Sequence, residues 1–135
     1  MSEPELVRVK DVMKTEFDLV DGLATVADAL RNMQHVGTKA LVVRRRNEND
    51  EYGIVELEDI ATEVLARNRA PERVNVYEIM EKPLIGVDPE MDIRYCARLF
   101  ERYHLYRAAV VQNREVIGIV SYADIVIKGM KKLLE

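Results

Sequence analysis

The sequence predicts an α+β fold in which two tandem β-α-β-β-α units pack sheet to sheet about a pseudo-two-fold axis. Three observations predict it. The chain repeats itself, the apolar residues of each copy switch between helical and strand patterning in the same order, and neither copy is long enough to bury a substantial core alone. Val9-Lys10-Asp11-Val12-Met13 matches Val76-Tyr77-Glu78-Ile79-Met80 at an offset of 67 residues, and Val20-Asp21 matches Val87-Asp88 at the same offset. Lys39-Ala40-Leu41-Val42-Val43 matches Arg107-Ala108-Ala109-Val110-Val111 at 68. Gly53-Ile54-Val55 with Asp59-Ile60 matches Gly118-Ile119-Val120 with Asp124-Ile125 at 65. The drift puts one extra residue near the first helix of the second copy and removes three from its hairpin loop.

Each copy opens with a short element ending in Met, followed by a strand, Asp18 to Val20 or Leu84 to Val87. A helix comes next, with Val26, Ala29, Leu30 and Met33, or Ile93, Cys96, Ala97 and Phe100, on one face. A hairpin then pairs Ala40 to Val43 with Gly53 to Val55, and Ala108 to Val111 with Val116 to Val120. A second helix closes each unit on Ile60, Val64 and Leu65, or on Ile125, Val126 and Met130. The first repeat spans 9–67 and the second 76–130. Residues 68–75 form the joint, where Pro71 disfavours helix in the residue before it. The final stretch, Ile125 to Glu135, carries Lys128, Lys131 and Lys132 toward its C-terminal end, where cations complement the helix dipole.

Composition bounds the function. With 20 basic and 24 acidic residues the net charge is −4, which argues against a nucleic-acid binder, since such a protein needs a basic face. Through Arg67 there are 9 basic and 14 acidic residues, and after it 11 and 10, so the second half tolerates an anion better. The apolar runs fall far short of a membrane span and the N-terminus has no apolar signal core, from which a cytoplasmic location is expected. Cys96 is the single cysteine, and it and the two histidines, His35 and His104, show no metal-binding spacing. No nucleophile and base pair or phosphate-loop lysine motif stands out, so no enzymatic activity is expected.

The V-x-D/E-h-M opening and the G-h-h-x-x-x-D close, present in the same order in both halves, resemble the CBS domain family, and the pair resembles a Bateman module. The resemblance covers Val9 to Met130. It implies a regulatory module that binds an adenosine-containing nucleotide in the cleft between repeats and signals through a homodimer or a separate effector protein. The implied regulatory ligands are AMP, ADP or ATP, or S-adenosylmethionine, with no catalytic cofactor, nucleic acid or membrane as partner.

The residues that would carry binding lie first in Gly118-Ile119-Val120-Ser121-Tyr122-Ala123-Asp124, a strand end opening a helix, where free N–H groups favour an anion. By resemblance, Ser121 faces a phosphate and Asp124 accepts from the ribose hydroxyls. The same spacing is close to a capping box, in which both residues merely cap the helix. In the first copy Glu56 replaces the hydroxyl and would repel phosphate. That site is expected to be empty or to take an uncharged or cationic adenosine compound, with Asp59 holding a ribose. The resemblance puts adenine between Pro83, Leu84 and Ile85 on one side and Ala108 and Ala109 on the other. Arg107, matched by Lys39, is either a group that neutralises phosphate or a solvated residue at a strand start. Arg44-Arg45-Arg46 reads as a solvated hairpin loop, with partner phosphate contact as the alternative. The competing function is a ligand-free dimerisation scaffold in which Ser121 and Asp124 do no more than cap.

Overall fold

The computed structural model describes residues 6–135 and contains two compact units, each holding one three-stranded sheet with helices. One unit runs from Glu16 to Leu84. The other joins the segment ending at Thr15 to Ile85–Glu135. The α+β class expected from the repeat is therefore the class found, but the units exchange their opening segments. Residues opening the first repeat fold onto the second sheet, and those opening the second fold onto the first.

In chain order, α1 (Val9–Val12) precedes β1 (Asp18–Val20), α2 (Val26–Arg31), β2 (Ala40–Val43), β3 (Gly53–Glu56) and α3 (Leu57–Ile60). A π-helical turn, Ala61–Leu65, extends α3. The second set is β4 (Gly86–Val87), α4 (Ile93–Tyr103), β5 (Arg107–Gln112) and β6 (Glu115–Ser121). It ends in a π-helical stretch, Asp124–Met130, that runs into α5 (Lys131–Leu134). In each sheet the middle strand, β2 or β5, runs parallel to the first strand and antiparallel to the third. All four β2 residues are buried, which explains the unbroken apolar run Ala40–Val43.

The swapped segments explain why the methionine and glycine motifs recur together. Lys14 bridges Ile119, each N–H donating to the other's carbonyl at 2.9 Å, and Glu81 bridges Ile54 in the same way at 2.9 Å. A Cβ on Gly118 would stand 2.6 Å from the Lys14 carbonyl oxygen, and one on Gly53 would meet Met80 Sδ at 2.8 Å. At Gly118 the atom in the way is backbone, so that glycine has a steric reason independent of any ligand, whereas at Gly53 the nearest atom is the flexible end of Met80.

Two cores follow. Val26, Ala29, Leu41, Val43, Val55, Val64, Val74, Val76 and Ile79 pack in the first unit. Val7, Val9, Val12, Val87, Ile93, Cys96, Phe100, Val110, Val120 and Ile125 pack in the second, where Phe100 meets Tyr122 edge to face with centroids 5.1 Å apart.

Three details depart from the sequence reading. The strand expected over Leu84–Val87 is only Gly86–Val87, because the Leu84 N–H donates to Tyr52 O and Leu84 belongs to the first unit. Leu30 and Leu65 are exposed, leaving Val26, Ala27, Ala29 and Val64 as the buried residues of those helices. In the last helix the buried line is Ile125 and Gly129 with Leu133 partly buried, while Val126 and Met130 face outward. A Cβ on Gly129 would stand 2.5 Å from Ile93 Cδ1, so the helix presses closely on Ile93 there.

Candidate ligand site at the end of the third strand

Ser121 ends β6 and Asp124 lies one turn into the following helix. The two cap each other. The Ser121 N–H and hydroxyl donate to Asp124 Oδ2 at 2.9 and 3.0 Å, and the Asp124 N–H donates to Ser121 Oγ at 3.3 Å. In the first unit the Glu56 N–H donates to Asp59 Oδ2 at 2.8 Å, the equivalent bond. The capping geometry expected as the alternative to binding at Ser121 and Asp124 is thus present, and Glu56 with Asp59 forms a capping box in the first unit as well.

Asp124 has a second set of partners. Its carboxylate is 2% exposed, and Oδ1 accepts from Lys14 Nζ at 2.6 Å and lies 3.2 Å from Lys128 Nζ. Lys128 also donates to the Val12 carbonyl at 3.2 Å. Burial pushes the Asp124 carboxyl up, but hydrogen bonds from Lys14 and Ser121, with the Lys14 charge, outweigh it and hold the group below its ordinary value. It is an ionised acid with two ammonium groups on one oxygen. Lys14 and Lys128 escaped the sequence reading. The Asp124–Lys128 spacing of one helical turn was a usable signal, but no local pattern could link Lys14 across 110 residues.

Arg107 is buried, 8% exposed, and its Cα is in register with Ser121 across β5 and β6. That is not the placement of a solvated strand-end residue. Ala108 and Ala109 follow it, both buried, and Gly86 pairs with Ala109. Ile85 is exposed and directly precedes β4. Pro83 and Leu84 fall in the other compact unit, so the residues expected to form one wall of the adenine slot are divided between units.

Superposing the repeats by their offsets exposes a charge inversion. The second unit places Ser121, Asp124, Lys128, Lys14 and Arg107 around the strand end. Their counterparts in the first are Glu56, Asp59, Glu63, Glu81 and Lys39. Three cations and one acid in the second unit stand against one cation and four acids in the first. No group of acids, histidines or cysteines among the described residues could hold a metal ion, and no described helix is long and apolar enough to cross a membrane.

Comparison with known proteins gives a consistent result. A mitochondrial CBS domain-containing protein of Arabidopsis thaliana, CBSX3, is 29% identical over 132 residues, covering 90% of this chain. The chain spans only 64% of that relative's length. The hexameric CBS-CP12 protein from bloom-forming cyanobacteria is 39% identical with a TM-score of 0.87, over 92% of this chain and 72% of that one. The CBS domain pair of protein MJ0100, solved in complex with 5′-methylthioadenosine and S-adenosyl-L-methionine, shares the fold at 23% identity and a TM-score of 0.78, over 95% of this chain and 99% of that one. The CBS domain family matches twice, at residues 9–66 and 76–130, and the chain belongs to that family as a tandem pair of CBS domains.

Proposed function

We propose that this CBS pair is a regulatory module whose second repeat binds an anionic adenine nucleotide of the AMP, ADP or ATP class at the end of β6. CBS pairs are regulatory, and the reading is one of binding without catalysis. The observation that carries it is the charge inversion. Lys14, Lys128 and Arg107 surround Ser121 and Asp124, whereas Glu56, Glu63 and Glu81 occupy matching positions in the first repeat. Opposite unit charges 4 Å apart attract by about 4 kcal/mol at an effective dielectric of 20, so this difference sorts ligands by charge.

In this reading Lys14 is the phosphate contact freed when a ribose hydroxyl takes its place on Asp124, and Ser121 and Gly118 lie where the phosphate approaches. Ala108, Ala109 and Ile85, which share one compact unit with Ser121 and Asp124, are the proposed adenine contacts. The first repeat, acidic around Asp59, suits a cationic adenosine compound such as S-adenosylmethionine, a ligand the MJ0100 pair holds. Output passes through self-association or an effector protein, and the compartment we propose is the cytoplasm, in keeping with one free, buried cysteine.

A second reading, a ligand-free dimerisation scaffold, is favoured by the reciprocal Ser121–Asp124 caps and by Val126, Ile127, Met130 and Leu134, all large, apolar and exposed near the C-terminus. Thermal-shift titration with AMP, ADP, ATP, S-adenosylmethionine and NAD separates the two. A nucleotide-binding module gains melting temperature as ligand rises above Kd, and Asp124→Ala removes the gain. A scaffold shows no gain with any of the five, and the substitution lowers only its stability.

A further inference from the structure

The first compact unit contains a cleft of about 670 Å³ at the opposite ends of β1 and β2 from Glu56 and Asp59. Asp21, Gly22 and Leu23 after β1, Val43 to Arg46 at the end of β2, and Tyr77, Met80 and Lys82 from the swapped segment line it. That volume is in the range of small-molecule sites, roughly 300–1,000 Å³.

The three consecutive arginines of the hairpin loop, read from sequence as solvated, all border this cleft. A continuing strand would send neighbours to opposite faces, but β2 ends at Val43, after which only the Arg44 N–H keeps a strand-like bond, to Val20 O at 2.9 Å. The cations are held in place. Asp50 accepts from the Arg46 backbone and Nε at 2.9 and 3.0 Å and pairs with Lys82 Nζ at 2.7 Å. These bonds hold the Asp50 carboxyl far below its ordinary value. Arg45 stacks on Tyr52 with its guanidinium 4.8 Å from the ring centre.

Four cations against Asp21 and Asp50 leave two positive charges in excess on a protein whose net charge is −4. One remains when Glu48, in the adjoining cleft beyond Arg44 and Arg45, is also counted. Between the cations the lining is apolar, with Val43, Met80, Leu23 and the half-exposed Tyr77 ring. A basic rim over an apolar floor matches a molecule with phosphates at one end and a flat group at the other.

We propose that this cleft is a second, separate binding site for a phosphorylated small molecule of nucleotide size. Its phosphates lie on Arg44, Arg46 and Lys82, and its flat part lies against Tyr77 and Val43. The site is independent of Ser121 and Asp124.

The test is a ¹⁵N-NMR titration of the full chain with ATP and, separately, with inorganic tripolyphosphate. The result expected is saturable movement of the Asp21–Leu23, Arg44–Arg46 and Tyr77–Lys82 amides that persists in the Lys14→Glu/Lys128→Glu protein. ATP binds at least several-fold more tightly than tripolyphosphate, affinity falls with added NaCl, and Arg44→Glu, at an exposed residue, weakens both probes at least tenfold at unchanged melting temperature. Lys82→Met reproduces the loss from the other wall. The proposal is overturned if these amides stay still, if both variants bind as the wild type does, if tripolyphosphate equals ATP, or if a single-stranded oligonucleotide outcompetes ATP there. Loss of the Ser121 site with these shifts intact would refute the nucleotide reading of the second repeat alone.

Discussion

Lys14 Nζ lies 2.6 Å from Asp124 Oδ1, joining the segment that opens the first repeat to the helix that closes the second. This contact ties an acid inherited from the repeat pattern to a cation supplied by the segment exchange. It makes Asp124 a structural anchor as well as the group that the proposed nucleotide must share.

Replacing Lys14 by Met leaves a nearly buried carboxylate with Lys128 and Ser121 as partners. Stability should fall by roughly 1.5–3 kcal/mol, the usual net worth of one hydrogen bond to a charged group. Chemical denaturation of Lys14→Met, Asp124→Asn and the double variant checks this. The double variant should be less destabilised than the two single losses added together, and simple additivity would mean that the two groups do not interact.

Acid stability should report the same carboxyl. Its folded pKa is depressed, so its contribution is fully present above the unfolded carboxylate value of about 4 and is lost as pH falls through the lower folded value. Denaturant midpoints measured from pH 6 down to pH 2 should fall less steeply for Asp124→Asn than for wild type. Parallel curves would contradict the assignment.

Gly118→Ala forces a Cβ to within 2.6 Å of the Lys14 carbonyl, a backbone atom that cannot step aside. A loss of about 1–3 kcal/mol is expected, as for other overpacked positions. Gly37→Ala has open space around its new methyl and should change stability by less than about 1 kcal/mol. Thermal melts of the two variants make the comparison, and equal effects would mean that the Lys14 crossing is loose.

Cys96 is buried on the inner face of α4, and burial pushes its thiol up to about 11. It should resist an aromatic disulfide reagent at pH 8 in the folded protein and react fully in denaturant. Rapid reaction in the native state would indicate that α4 opens readily.

The sequence made the repeat, the element order and the Gly118 and Asp124 positions legible, because each is written in local spacing and recurs. Cys96, Ile93 and Phe100 are buried together as the helical pattern of α4 implied. The outer turn of the last helix was misread. Val126 and Met130 look like core residues by composition, whereas the face that packs is the one carrying Ile125 and Gly129, the latter pressed against Ile93. The partners of Asp124 were half legible, Lys128 by its one-turn spacing and Lys14 not at all. The arginines of the hairpin loop read as solvated because no single-chain pattern shows that Lys82 and Tyr77 close the other side of the same cleft.

The charge inversion between repeats is tested most directly by exchanging it. Isothermal titration with ADP should show that Lys14→Glu/Lys128→Glu loses at least tenfold in affinity at the second repeat. Glu56→Ser/Glu63→Lys/Glu81→Lys should gain an additional ADP site at the first. Unchanged affinity and stoichiometry in both proteins would contradict the account.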